Sequence, residues 1–368
     1  MSFHSPSLPN FSSPVVIGGK SVGPGEPCFI IAEAGSNHDR KIETAIALVD
    51  AAAEADCDAI KFQTFTGPDI AAGGSADYVK LPKQYGQWGQ YLQDFYANCA
   101  LPEEFHKPLF EHARDRNIMF FSSPFSEKAV DLLVDLGVIA LKIASFEMVH
   151  LPLIRHAANT GLPLIISTGM AGLGDIERAL EAVDDGGGGN VILLHCGSNY
   201  PLGAGSAHLA AMDTIRKNFG VPVGYSDHTL GLTIPTTAAA LGANAFEKHI
   251  TLDQKGNGPD HSFAISSDDL KLMVHQMREA ELAVGQPQKR RQQEELEHAQ
   301  RGRRSLFATR DLKKGEILTL DAVKIVRPGI GLEPMFLDIL LNCPVIKDAK
   351  MDTPLCWDNF LDTGSKSN

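Results

Sequence analysis

The chain has 368 residues, 43% of them hydrophobic and 21% charged, which is enough for one large domain and a further small one. Its formal net charge of -12 argues against nucleic acid as a partner, and any anionic ligand must be captured by local cations. No apolar stretch has membrane-spanning length and no charged-then-apolar leader opens the sequence, so a cytoplasmic protein without a membrane partner is expected.

Residues 1–27 are rich in Ser, Pro and Gly and read as an arm or a short hairpin around Val15 to Val22. From Cys28 to about Leu252 follow eight short apolar runs, each closing on small polar or ionisable residues. They are CFIIAEAGSNH, AIKFQTF, IMFFSSPF, ALKIASFE, PLIISTGM, VILLHCGS, VPVGYSDHT and AFEKHITLD. Most neighbours are separated by about 15 to 25 residues with helical apolar spacing, as from Ile42 to Ala53 and from Ala129 to Leu136, the pattern of βαβ units. Repeated eight times, it predicts an α/β fold: a closed (β/α)8 TIM barrel over 28–285, with its active site at the C-terminal ends of the strands. The gap between the second and third runs is long, and its GPDIAAGGSADYV and QWGQYLQDFYANC predict an insertion over the barrel mouth, serving as a lid. GGGGN at Gly186 to Asn190 reads as a flexible loop.

Beyond the eighth run, Ser267 to Val284 reads as an amphipathic helix with a Ser-rich start. The stretch 286–304, with KRRQQEELEHAQRGRR, reads as a charged, solvated linker. Over 305–368, brief β runs broken by Gly, Pro and Asp, with a short helix from Pro334 to Leu341, predict a small β-rich C-terminal domain. Six cysteines stand without a CxxC pair, so reduced thiols are expected rather than disulfides or a thiolate zinc site.

Side chains alternate along a strand, so Ser226 and His228 share one face, as do Glu247 and His249. A single histidine at such a place reads as a hydrogen-bonded core residue. Two at the tips of adjacent strands read as a pair that can share a divalent metal, with water and substrate oxygens completing its shell. Lys61, which shares a face with Gln63, and Lys142 stand inside apolar runs where desolvation is costly unless they meet an anion. Facing one mouth, they would make a phosphate or carboxylate site; the alternative is that either snorkels outward between helices. Ser122, Ser123, Ser145, Ser167, Thr168 and Ser198 add hydroxyls, and the amides around Gly169 and Gly197 could form an anion nest. Glu33, Glu147 and Asp260 are the candidate carboxylates for orienting water or holding sugar hydroxyls, although Asp260 alone, within Gly-Pro-Asp, is explained as well by a turn. No nucleophile elbow, Walker loop or strand-following GxGxxG is present, so covalent hydrolase, NTPase and Rossmann readings lack support.

Taken in order, IAEAGSNH, IKFQTF, FSSPF, KIASFE, ISTGM, GYSDHT, EKHITLD and GPDHSF resemble the successive blocks of the sialic acid (nonulosonic acid) synthase family. RPGIGLEP resembles the block of its C-terminal antifreeze-like (SAF) domain. The resemblance runs from about Cys28 to Trp357 and implies a TIM barrel, a SAF domain and a domain-swapped homodimer. It implies an enzyme that condenses phosphoenolpyruvate with an N-acylated amino sugar. By it, His228 and His249 would hold Mn2+ or Mg2+, and Lys61, Ser123, Lys142, Ser145, Ser167 and Ser198 would bind phosphoenolpyruvate. Glu33, Gln63, Glu147, Tyr200 and Asp260 would surround the sugar and a reactive water, with Glu147 steering that water, and Arg327 of the second copy would grip the sugar. KIASFE, Trp-Gly-x-x-Leu at Trp88 to Leu92 and the PLCWD end look most similar to pseudaminic acid synthases, with N-acetylneuraminate and legionaminate synthases as close competitors. The chain departs from the family at Arg40, where NHxG has glycine, and at Gly197, where CTSxYP has threonine. A catalytically impaired sugar-binding or regulatory barrel, and a Kdo-type synthase using a phosphorylated sugar, are the alternatives.

Overall fold

The computed structural model describes residues 11–82 and 86–362; Lys83, Gln84 and Tyr85 of the expected insertion lie outside them. The chain divides into two compact units, with the boundary between Gly285 and Gln286. The first unit opens with an antiparallel hairpin of β1 (Val15–Ile17) and β2 (Lys20–Val22). Gly18 and Gly19 at its turn have φ of +53° and +84°, the pair of left-handed residues that a tight primed hairpin turn requires. Val15, Ile17 and Val22 are fully buried, and a Cβ on Gly18 would lie 2.7 Å from Cδ1 of Ile139. The hairpin therefore closes the N-terminal end of the barrel.

The barrel strands are β3 (Phe29–Glu33), β4 (Ala59–Thr64), β5 (Met119–Pro124), β6 (Leu141–Ile143), β7 (Leu164–Ser167), β8 (Val191–Cys196), β9 (Val223–Asp227) and β10 (Ala245–Thr251). All neighbours are parallel, and β10 pairs with both β9 and β3, which closes the ring into a TIM barrel. Strands buried on both faces read as near-continuous apolar runs, and β3, β7, β9 and β10 are buried at every residue. A two-residue strand that the sequence pattern did not signal, β11 (Ile265–Ser266), adds to the edge of β10 in parallel.

Helix α1 (Ile42–Glu54) follows β3. Two short helices, α2 (Gly67–Ile70) and α3 (Leu92–Cys99), belong to the insertion after β4. They are followed by α4 (His106–Asp115), α5 (Glu127–Leu136), α6 (Leu151–Asn159), α7 (Leu173–Asp185), α8 (Ala211–Phe219), α9 (Thr233–Ala240) and α10 (Ser267–Val284). Their starts and faces follow from local chemistry. The N-cap Ser126 of α5 accepts from the Ala129 amide, Ala129, Val130 and Leu133 turn inward, and left-handed Gly137 ends the helix. In α10, Ser266 caps the start, acidic Asp268 and Asp269 occupy the positive end of the helix dipole, and Leu270, Met273, Val274 and Met277 are buried.

In the second unit, β12 (Ser305–Ala308) pairs antiparallel with β13 (Val323–Val326). Leu306, Leu312, Leu318, Val345 and Leu355 form its core. The Pro334 to Leu341 segment is a turn of 3-10 helix leading into α12 (Leu337–Leu340). The stretch expected to be a charged linker contains a helix, α11 (Leu296–Gly302), none of whose residues is buried.

Candidate active site

The C-terminal ends of the barrel strands bring most of the candidate residues into one mouth. Register places His249 of β10 beside Glu33 of β3, and Glu33 beside Lys61 of β4. The ammonium of Lys61 lies 2.6 Å from Glu33 Oε2 and donates to Ser123 Oγ at 3.1 Å, while Gln63 Nε2 donates to Glu33 Oε1 at 2.7 Å. Lys142 donates to Ser167 Oγ at 2.6 Å. Both lysines are almost fully buried and neither snorkels outward. Their charges meet at Glu247, whose two carboxylate oxygens lie 3.6 Å from Lys61 and 3.7 Å from Lys142, and which accepts from Ser226 Oγ at 3.1 Å.

Glu247 is the functional candidate that the sequence reading left out of the site. Its position two residues before His249 on the same strand face was the available signal. Burial alone would raise its pKa, but Lys142 and Lys61 hold it at about 2, so it is the carboxylate that stays ionised. Burial, aided by the charge of Glu247, raises Glu33 to about 7 against the pull of Lys61. Lys61, with two carboxylates beside it, is raised despite its burial. Lys142 is lowered by burial, which Glu247 only partly offsets.

A second group of hydroxyls gathers around Gly169. A Cβ there would lie 2.4 Å from Ser198 Oγ and 2.7 Å from Ser145 Oγ, so glycine is what lets the two serines close on each other. Ser145 also meets Cys196 Sγ at 3.1 Å, and the Gly169 amide donates to the same sulfur at 3.2 Å. Ser198 Oγ is buried with no hydrogen-bond partner among the described residues. Two hydroxyls expected here are used elsewhere. Ser122 Oγ pairs with Thr64 Oγ1 at 2.7 Å, which in turn meets His106 of α4, and Thr168 Oγ1 donates to the Leu194 carbonyl at 3.1 Å. Both are structural bonds, and neither residue belongs to the mouth group.

The two histidines stand side by side, with ring centroids 5.6 Å apart and Tyr200 packed 4.2 Å from His228. His228 Nδ1 donates to the Gly197 carbonyl at 2.7 Å, which leaves Nε2 as the lone-pair nitrogen. A side chain on Gly197 would come within 2.7 Å of the Leu202 methyls, so in this chain Leu202 takes the room that threonine would need. His249 Nδ1 is buried without a hydrogen bond, 3.7 Å from Asp260 Oδ2. Asp260 is fixed by the Ser36 amide at 3.0 Å. Burial lowers both histidines, and the neighbouring His228 lowers His249 further, so both are neutral imidazoles. A Cβ on Gly35, at φ +52°, would lie 2.4 Å from Asp260 Oδ2 and 2.9 Å from His249 Nδ1, which accounts for glycine there.

Two neutral imidazoles with free lone pairs, one of them an orphaned buried nitrogen, fit a divalent cation whose other ligands are oxygens. Among the described residues, no three His, Cys, Asp or Glu side chains converge as a closed metal site. Glu147 follows β6 in a 3-10 turn and has one carboxylate oxygen, Oε2, buried and unpartnered; burial raises it to about 7 although Lys142 opposes the shift. Arg327 belongs to the second unit, exposed directly after β13. Arg40 donates from Nη1 to the carbonyls of Ala97 and Ala100 in the insertion, at 2.9 and 2.7 Å.

Comparison with known proteins matches residues 48–289 to the NeuB family and 303–361 to the SAF domain. The chain is 37% identical to the N,N'-diacetyllegionaminic acid synthase of Legionella pneumophila, over 93% of its own length and 97% of that protein. It is 36% identical to the pseudaminic acid synthase of Helicobacter pylori, over 91% and 98%. Among solved structures, an N-acetylneuraminic acid (sialic acid) synthetase of Leptospira borgpetersenii bound to citrate superposes with a TM-score of 0.70 at 31% identity, over 78% of this chain and 96% of that one. No helix among the described residues is long and apolar enough to cross a membrane. The chain belongs to the NeuB family of nonulosonic acid synthases, with a SAF domain following its barrel.

Proposed function

We propose that the chain condenses phosphoenolpyruvate with the open-chain aldehyde of an N-acylated amino sugar, forming a carbon–carbon bond and releasing phosphate by C–O cleavage. The observation that supports this most directly is the joint burial of Lys61 and Lys142 around Glu247, on the strand that also carries His249. Two cations backed by the Ser123, Ser167, Ser145 and Ser198 hydroxyls suit a small trianion. Gln63, Tyr200 and Asp260 lie beside Glu33 and the histidines and would bind the sugar. In a homodimer whose second units cover each other's mouths, Arg327 of the second copy would hold the N-acyl group.

His228 Nε2 and a ring nitrogen of His249 would hold Mn2+ or Mg2+. When bound, the ion would supply Lewis-acid polarisation of the sugar aldehyde. C3 of phosphoenolpyruvate attacks the aldehyde carbon, and the aldehyde oxygen takes up a proton to become a hydroxyl. Water adds to C2, and the tetrahedral C2 expels phosphate to leave a 2-keto acid. Glu147, poised near neutrality, accepts the proton of that water as its carboxylate. Proteins named for legionaminic and pseudaminic acids are similar to this chain along most of its length, so a 2,4-diacetamido-trideoxyhexose is the first sugar to try, and N-acetylmannosamine the second.

The test is phosphate release and product mass spectrometry with phosphoenolpyruvate, Mn2+ and a panel of 2-acetamido and 2,4-diacetamido hexoses. Release that needs both a sugar and the metal, with a nonulosonic acid as product, is expected. Silence across all sugars, or a strict need for a sugar phosphate, would overturn the proposal.

A further inference from the structure

We propose that Arg40 governs sugar recognition from a distance, by docking helix α3 onto the loop after β3 so that α3 stands as a fixed wall beside the sugar end of the mouth. This rests on the proposed function, in which Asp260 and Glu147 face the sugar and its attacking water. No side chain of helix α3 is fully buried, and Phe95, Tyr96 and Cys99 are half-buried, so packing against the core anchors it only in part. A cavity of about 410 Å³ lies beside it, lined by Arg40, Phe65, Ala97, Ala100 and His106 among others. Across that space Arg40 Nη1 bonds the Ala97 and Ala100 carbonyls, two acceptors in the last turn and at the C-cap of α3, where a cation is also favoured by the helix dipole.

Arg40 adopts a φ of +53° next to Asp39 at +48°, a conformation for which glycine is the default. The chain keeps an arginine there, and its head group is what reaches α3. Asp39 ties the same loop to the one after β10 through His261 Nε2 at 3.0 Å, two strands away from the insertion. Trp88 Nε1, just before α3, donates to the Asn257 carbonyl at 2.6 Å, three residues before Asp260. Helix α3 is thus tied just before its start, at Trp88, and at its end, at Ala97 and Ala100, to the loops after β10 and β3.

The face of α3 follows from its neighbours. Tyr96 stacks edge-on against Phe65 at 6.0 Å, and Phe65 against Phe125 at the end of β5 at 5.2 Å. The Tyr96 phenol is raised by burial and by the charge of Glu147, and Cys99 is pushed up to about 12 by burial and by Asp260, so both carboxylates lie near enough to α3 for their charge to be felt there. Released from Arg40, the last turn of α3 would loosen, and Tyr96 and Cys99 would drift from the sugar end. The lysine end, held by Glu33, Glu247 and the strand serines, would not change. Arg40 is therefore a positioning residue and not a catalytic one.

The test uses the full chain. Arg40→Met keeps the stem and the backbone conformation but removes the donors, Arg40→Lys restores one donor, and Arg40→Gly relieves the backbone and guards against misfolding of the Met variant. In the free protein, amide exchange over 92–100 should quicken at least about fivefold in Arg40→Met and Arg40→Gly, with the barrel strands unchanged. The sugar KM should rise by about fivefold or more, with kcat and the phosphoenolpyruvate KM within about twofold of the parent and partial recovery in Arg40→Lys. Unchanged exchange overturns the proposal whatever the parent turns over. So does a sugar KM that stays put, or one that rises in step with that of phosphoenolpyruvate. Absence of any turnover in the parent would instead count against the proposed function, which the exchange measurement does not depend on.

Discussion

The lysine end and the histidine end of the mouth are both buried, yet they are built in opposite ways. At the lysine end each cation has a carboxylate within 4 Å: Glu33 and Glu247 at Lys61, and Glu247 at Lys142. The carboxylate oxygens there that lack a hydrogen bond, Glu33 Oε2 and Glu247 Oε2, lie within ion-pair distance of Lys61, whereas at the histidine end His249 Nδ1 is buried and unpartnered among the described residues. Unmade hydrogen bonds of buried polar groups cost about 1 to 3 kcal/mol each, so such atoms persist where a ligand completes them. The lysine end is a pre-neutralised site in which an anion must share its cations. The histidine end offers imidazole lone pairs to a cation and the oxygens around it.

The sharpest way to break this contrast is to remove Glu247. Glu247→Gln leaves two buried ammonium groups with Glu33 as their one remaining carboxylate, and unfolding measurements should show a loss of about 3 to 5 kcal/mol. Phosphoenolpyruvate should then stabilise the variant more than it stabilises the parent, because the anion replaces the missing charge. Equal stabilisation of both would show that the lysines do not receive it. At the other end, His228→Ala and His249→Ala should each lower Mn2+-dependent phosphate release by about a hundredfold or more, read together with weaker Mn2+ binding by titration calorimetry. Full activity in both variants would remove the metal from the histidines.

A smaller effect tests Glu147, which lies between the two ends. Its folded pKa, about 7, lies above the value of 4.5 for a free side chain, so the folded state is favoured below pH 4.5 and loses that advantage as pH rises through 7. Glu147→Gln, which carries no such charge, should gain about 1 to 3 kcal/mol relative to the parent between pH 5 and pH 8. A difference between the two proteins that does not vary with pH would place the carboxylate in an ordinary solvated setting.

Much of this was readable in the chain because charge inside an apolar strand is conspicuous. Lys61, Lys142, His228 and His249 stand out for that reason, and alternation along β9 and β10 put the histidines on one face. The same strands show where such reading stops. Asp227 and Lys248 are equally conspicuous, but they point the other way and form a buried pair at 2.6 Å, with Lys248 also capping the Thr229 carbonyl. Glu247 required knowing that two lysines from other strands converge on it, which no local pattern carries. Ser122 and Thr168 close their runs like Ser123 and Ser167, and only the partners they meet separate structural hydroxyls from those that face the buried lysines. Helix α11 was missed because Leu296 and Ala299 alone, in seven residues with none buried, give no apolar period to read. The clamp of Arg40 on Ala97 and Ala100 joins residues about sixty positions apart and leaves no trace in either segment.

The central claim is that a cation on His228 and His249 and an enol phosphate on Lys61 and Lys142 share one mouth. Anomalous diffraction from crystals soaked with Mn2+ and phosphoenolpyruvate tests it directly. The account predicts a manganese peak bonded to His228 and His249, with the phosphate against the two lysines and the serines around Gly169. Manganese bound elsewhere, or phosphoenolpyruvate seated away from Lys61 and Lys142, would contradict it.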